Sequence, residues 1–171
     1  MSGLFHDTVQ ALTFCIGKER FAVPVPLVRE ILDYREPFRI PQGPAHFVGL
    51  IDVRGQGVPT IDLRLRLGLP HAEPTPLTRI LILEVPRGRG TVPETLPETL
   101  IVGVVIDRAL SVCAFAPGDI ETSPDIGVRW RSDYLLGVVR QDGAFVVLID
   151  IARILTDEDA AIILHNVPQA A

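Results

Sequence analysis

Glycine and proline decide what this chain can build. They are spread so evenly that between Gly17 and Gly103 no stretch free of both exceeds ten residues. A helix of ordinary length has little room between such breakers, because Pro removes a backbone donor and Gly costs backbone entropy. The apolar runs left between them are short and rich in β-branched residues: 12–16, 21–25, 48–53, 58–63, 79–85, 101–106, 110–115, 135–139 and 145–151. Runs of that kind bounded by turn residues read as strands. Nine or ten short strands in 171 residues predict a mainly β chain folded as one or two small barrels.

Two segments depart from this pattern. Residues 27–32 (LVREIL) predict a short helix, with Leu27 and Ile31, and Val28 and Leu32, each four apart on one face. Residues 157–165 follow Thr156, with Asp159 three residues after it, which resembles a capping box ahead of the apolar stretch 160–164. A C-terminal helix packed on the barrel surface, with a tail, is expected over 157–171.

The chain also repeats itself. A shift of 88 residues lays Gly49 on Gly137, Gly55 on Gly143, Val58 on Val146, Asp62 on Asp150 and Leu67 on Leu155. Each copy reads as strand, Gly-bearing turn, strand and a closing Asp, which can accept backbone N–H bonds where the strand gives way. Upstream, 21–31 matches 102–112 more weakly at a shift of 81. Two copies are too few for a solenoid, so the repeat predicts two similar β-units packed on an apolar seam. The units are expected at 12–76 and 77–156, divided near the Pro-rich 68–77, after a flexible segment 1–11. A terminal strand that crosses between units is compatible with this. Residues 86–100, with PETL written twice, read as a long loop between two strands.

Chemistry is scarce. None of the four His stands at metal-ligand spacing, and Cys15 and Cys113 form no C-x-x-C. Both Cys sit in apolar runs and read as small buried hydrophobes of a reducing compartment. Arg54-Gly55-Gln56-Gly57 lacks the Lys and the helix of a phosphate loop and reads as a hairpin turn. Asp52 and Asp62 read as turn and strand-end carboxylates rather than as a paired acid and base. No catalytic residue, metal or other cofactor is expected. The net charge of −5 supplies no basic face for nucleic acid. Apolar runs of at most six residues, against roughly 20 for a membrane span, argue against direct membrane insertion.

Four segments together resemble the CheW-like coupling proteins of bacterial chemotaxis: FAVPVPLVREI, FRIPQGPAHFVGLIDVRGQGVPTIDLRLRLGL, VGVVIDRALSV and DYLLGVVRQDGAFVVLIDIARIL. The resemblance covers about residues 12–164. It implies two five-stranded, SH3-like barrels around a shared apolar interface. It also implies a non-catalytic, cytoplasmic adaptor recruited to membrane-associated receptor arrays. The implied partners are the cytoplasmic tip of chemoreceptors and the regulatory domain of a CheA-type histidine kinase. Matched residue by residue, it points to Val28, Glu30, Arg54, Gly55, Gly103, Ala109 and Val112 as receptor- or kinase-binding positions. For Val28, Ala109 and Val112 plain core packing is the alternative. Glu30 and Arg54, charges among apolar neighbours, are expected to be exposed or paired, with each other or with a partner. The family usually carries Asn where this chain has Asp52, and a carboxylate beside Arg54 can form a local pair.

Two other readings stand beside the chemotaxis adaptor. One is an adaptor of a related pathway such as pilus motility or development. The other is a small OB-like barrel that binds a ligand or nucleic acid, which needs aromatic platforms and a basic groove. One Trp, two Tyr and a negative net charge weigh against the latter.

Overall fold

The computed structural model describes residues 6–41, 43–86, 99–122 and 134–155. The helix expected over 157–165 and most of the 86–100 insert lie outside the described residues. Eleven strands appear in chain order: β1 (Val9–Ile16), β2 (Glu19–Pro24), β3 (Val28–Asp33), β4 (Phe47–Val53), β5 (Gln56–Asp62), β6 (Arg79–Pro86), β7 (Thr99–Ile106), β8 (Arg108–Phe115), β9 (Ile120–Glu121), β10 (Leu135–Gln141) and β11 (Ala144–Ile149). Single helical turns α1 (Leu63–Arg66) and α2 (Ile151–Ile154) follow β5 and β11.

The strands form two sheets. One runs β3-β6-β7-β5-β4 and the other β8-β1-β2-β11-β10-β9. With the shifts of 81 and 88 applied, and with β1 matched to β6 by their equivalent pairing to β8 and β3, the two orders are the same, apart from the two-residue β9. Its counterpart is the lone bridge of Phe38 to Leu50. Each copy has donated its first hairpin to the other copy's sheet. The parallel ladders make the exchange: β5 beside β7 (Thr60 opposite Gly103) and β11 beside β2 (Leu148 opposite Ala22). The sheets therefore do not divide the chain at 76. One is built from 28–106, the other from 9–24 and 108–149. β1 also begins inside the 1–11 segment expected to be flexible, because Val9 to Ala11 pair with Phe115 to Cys113 of β8.

Alternation along each strand then fills three layers. Leu12, Phe14, Phe21, Val23, Leu81, Leu83, Val102, Val104, Val147 and Ile149 point into the seam between the sheets. The residues between them, Ala11, Ala22, Val146 and Leu148 on one side and Ile80 and Ile82 on the other, fill the two barrel interiors. Strands buried on both faces read as unbroken apolar runs, which explains Ile80-Leu81-Ile82-Leu83. Among the described residues the seam holds 21 buried side chains, against seven and four in the barrels. Phe14 and Phe21, paired across the β1–β2 hairpin, stack there with centroids 5.9 Å apart.

The helix expected at 27–32 is a strand. A single 3-10 turn at Val25–Leu27 leads directly into β3, which pairs with β6. Val28, Glu30 and Leu32 turn inward and Arg29, Ile31 and Asp33 outward. Six residues are too few to hold a helix alone, whereas the open edge of β6 supplies backbone partners at once.

Gly49 and Gly137 occupy equivalent bulges in β4 and β10. A Cβ on Gly49 would lie 2.1 Å from the Phe38 carbonyl oxygen, and φ there is +135°. A Cβ on Gly137 would lie 2.4 Å from the Ile120 Cγ2, a side-chain atom that can move, and 3.1 Å from the Glu121 oxygen. Gly49→Ala should therefore cost more stability than Gly137→Ala, about 3 kcal/mol or more against about 1–2. Urea melts of the two variants check the ranking.

Candidate functional site

The β4–β5 hairpin turns on two residues, Arg54 and Gly55, with φ of 51° and 83°. Positive φ at both central positions marks a type I′ turn, which favours Asn, Asp or Gly in the first place. The copy obeys that preference: Asp142 and Gly143 have φ of 51° and 77°. Arg54 is the exception, a long side chain held in a left-handed conformation that turn chemistry alone does not select. Its guanidinium reaches back across the barrel opening to Glu30 on β3. Nη1 donates to Oε2 at 2.7 Å and Nη2 to Oε1 at 3.2 Å. The pair ties the turn after β4 to β3, the opposite edge of the same sheet. The arginine side chain remains 78% exposed and the glutamate 23%.

Asp52 does not form the local pair with Arg54 that the sequence suggested. Its Oδ1 accepts the Gly55 N–H at 2.8 Å and so closes the hairpin turn, leaving the guanidinium to Glu30. Beside the ion pair lies a groove of about 290 Å³, with Val53, Val58, Ile82 and Ile101 as apolar walls and Arg29, Glu30, Arg54 and Gln56 as a polar rim. Ile82 and Ile101 come from strands of the second copy, so sequence motifs confined to the first copy did not reveal them.

Three of the other expected site residues, Val28, Ala109 and Val112, have repeat equivalents on the edge strands β3 and β8. Val28 and Ala109 are repeat equivalents, and both pack half-buried against the seam. Gly103 is buried in β7, where a Cβ would stand 2.7 Å from the Thr60 Oγ1, so its position serves strand packing. Val112 is 59% exposed on β8, and its equivalent Ile31 is 44% exposed on β3. The edge strands β3 and β8 thus each carry one large outward aliphatic side chain. Sequence reasoning missed Ile31 because it placed that residue beside Leu27 on the apolar face of a helix.

The corresponding link in the second copy, between β10 and β8, uses a different chemistry. Gln141 Nε2 donates to the Cys113 Sγ at 3.3 Å, and the Ser111 hydroxyl lies 3.4 Å from the same sulfur. These bonds lower the Cys113 thiol pKa below its ordinary value. Neither Cys is fully buried, contrary to expectation; both are half-buried and free, because β8 is an edge and Cys15 lies next to the β1–β2 turn.

Asp62 and Asp150, the closing acids of the repeat, have diverged. Asp62 Oδ1 accepts the Arg64 N–H at 3.0 Å and caps α1. Asp150 makes no such cap and instead lies 3.6 Å from the Arg153 guanidinium. Asp62 lines a second cleft, of about 490 Å³, with Tyr34, Arg64 and His71. Next to it Asp107 accepts bonds from the Arg64 guanidinium and from the Gly17 N–H, tying α1 to the β1–β2 turn of the other sheet. Burial raises the Asp62 pKa, partly offset by the backbone bonds from Arg64 and Leu65.

A raised folded-state pKa means that ionisation of Asp62 weakens the fold. That contribution is intact below the ordinary aspartate value near 3.8 and is lost as pH rises through the raised one. Asp62→Asn keeps the cap acceptor and removes the charge. The variant should lose less stability than the parent as pH rises from about 4 to 6, as followed by thermal melts. At the turn, Arg54→Asn should leave stability unchanged or slightly raised, by about 0.5 kcal/mol, since Asn-Gly suits the turn and an exposed ion pair contributes little.

The comparisons agree with this fold. The family pattern for the CheW-like domain matches residues 10–159. The chemotaxis protein CheW of Bacillus subtilis is 29% identical over 150 residues, covering 87% of this chain and 88% of the relative. CheW of Rhizobium meliloti is 26% identical over 150 residues, covering 88% and 89%. Protein FrzA of Myxococcus xanthus is 28% identical over 130 residues, covering 76% and 73%. The crystal structure of the scaffolding protein TtCheW from Thermoanaerobacter tengcongensis superposes with a TM-score of 0.73 at 20% identity, covering 88% of this chain and 94% of that one, and shows the same fold. With its double-sheet architecture and a family match over nearly its whole length, this chain belongs to the CheW-like domain family.

Proposed function

We propose that this chain is a non-catalytic adaptor that couples chemoreceptors to the regulatory domain of a CheA-type histidine kinase. The carrying observation is the family match over 10–159, on a fold in which a left-handed arginine is spent on an exposed ion pair at a barrel mouth. Loops on rigid scaffolds are where binding collects. Nothing in the duplicated fold requires a guanidinium at this turn, since the copy works with Asp142.

Two surfaces support the reading. One is the Glu30–Arg54 groove with its apolar floor, a small pocket able to seat an aliphatic side chain under a charged rim. The other is the pair of edge strands β3 and β8 with outward Ile31 and Val112, suited to partners that add contacts along a sheet edge. An adaptor needs two faces, and the duplication supplies two related ones with different chemistry. Among the described residues no helix is long and apolar enough to cross a membrane, so recruitment to a receptor array would run through protein contacts. The match to Protein FrzA favours, as a second reading, the same coupling role in a related pathway. No observation favours the ligand- or nucleic-acid-binding alternative.

Pull-down and calorimetry with the regulatory domain of the cognate kinase and with a receptor signalling fragment test the proposal. The parent chain should bind both. Arg54→Asn should weaken one of them about tenfold or more with the fold intact, and Val112→Glu should weaken binding along β8. Failure of the folded parent to bind either partner would sink the adaptor reading. Binding to a kinase of another pathway alone would select the second one.

A further inference from the structure

The hairpin exchange has a consequence for how this chain can meet a second copy of itself. A single copy of the repeat cannot complete a sheet. Without β6 and β7, strand β3 has no neighbour, and β5 loses the partner on its other side. Without β1 and β2, the same holds for β8 and β11. Ladders β1–β8, β2–β11, β3–β6 and β5–β7 all join residues of different copies, and the 21-residue seam is shared between them. The two halves thus recognise each other through most of what stabilises the fold.

Only one covalent link joins them. It is the connection 67–78, between α1 and β6, with Pro70, Pro74 and Pro76 in it. Residues 70–77 are exposed throughout. Twelve residues extend to about 40 Å, so the link is long enough to tolerate more than one path. No ladder and no seam contact requires the facing half to belong to the same chain.

We propose that the halves 9–66 and 79–155 are interchangeable between molecules, and that a second copy of this chain can supply either half, giving a symmetric dimer that contains the same two-sheet unit twice. In that dimer the Glu30–Arg54 groove is completed by Ile82 and Ile101 of the partner molecule. The tether gives the intramolecular half an effective concentration in the millimolar range, so one chain closes on itself unless refolding takes place at comparable protein concentration. Exchange of an identical element is a low-cost route to a dimer, because it creates no new interface.

The test uses two full-length versions of the chain, both with a protease site replacing residues 72–75, one tagged at the N-terminus and the other at the C-terminus. They are unfolded together, refolded at about 1 mM, and the dimer fraction is isolated and cut. The expected result is a particle of one-chain mass that carries both tags and keeps the β-sheet spectrum of the parent. A dimer that stays a dimer after cutting is a face-to-face contact and overturns the proposal. So do halves that separate or unfold once cut. The unaltered chain gives a second measurement: its dimer share should rise with concentration during refolding and should not fall on later dilution. A chain that stays monomeric at every refolding concentration also overturns the proposal.

Discussion

The seam between the two sheets is the constraint on which the rest depends. It is the largest buried apolar layer among the described residues, and each half contributes to it from a hairpin that belongs, by hydrogen bonding, to the other half's sheet. Burial of apolar surface is the dominant favourable term in a domain of this size. Here most of that term is available only when both copies are present. The barrels themselves enclose small clusters, so neither is a self-sufficient core. That explains why duplication produced one cooperative unit rather than two beads on a string.

Symmetry in the core frees the periphery to diverge. The bulge glycines Gly49 and Gly137, the seam contacts Val28 and Ala109, and the outward Ile31 and Val112 are kept in pairs. At the barrel mouths the pairs part. One is linked by an arginine–glutamate ion pair, the other by an amide, a hydroxyl and a thiol. The same backbone thus presents a charged rim on one side and a neutral one on the other. Asymmetry at a surface whose scaffold is symmetric separates binding chemistry from folding chemistry, since folding demands would have acted on both copies alike.

Much of the fold was legible because its signals are local. Turn glycines, β-branched runs and a closing Asp are read from neighbours in the chain, and the repeat doubles each signal. Residues 27–32 misled because their apolar spacing suits a helix of 3.6 residues per turn as well as an edge strand, and the choice was made by β6, some fifty residues away. The site was half legible. Glu30 and Arg54 stood out as charges among apolar neighbours, but Ile82 and Ile101 looked like ordinary strand interior. Asp52 was legible as a turn carboxylate, but not that it leaves Arg54 to Glu30, because sequence proximity says nothing about which side of a turn a carboxylate faces.

By itself the sequence determined the mainly β character, the duplication, the place of both hairpin turns and the family. Each of these is written in short-range pattern or in the comparison of one half with the other. Only the tertiary structure decided which hairpin joins which sheet, and that the guanidinium of Arg54 meets Glu30 rather than Asp52. The physical reason is the same in both cases. A strand's side chains alternate identically whatever strand lies beside it, so pairing across long separations is set by how the whole apolar seam closes and not by any local residue.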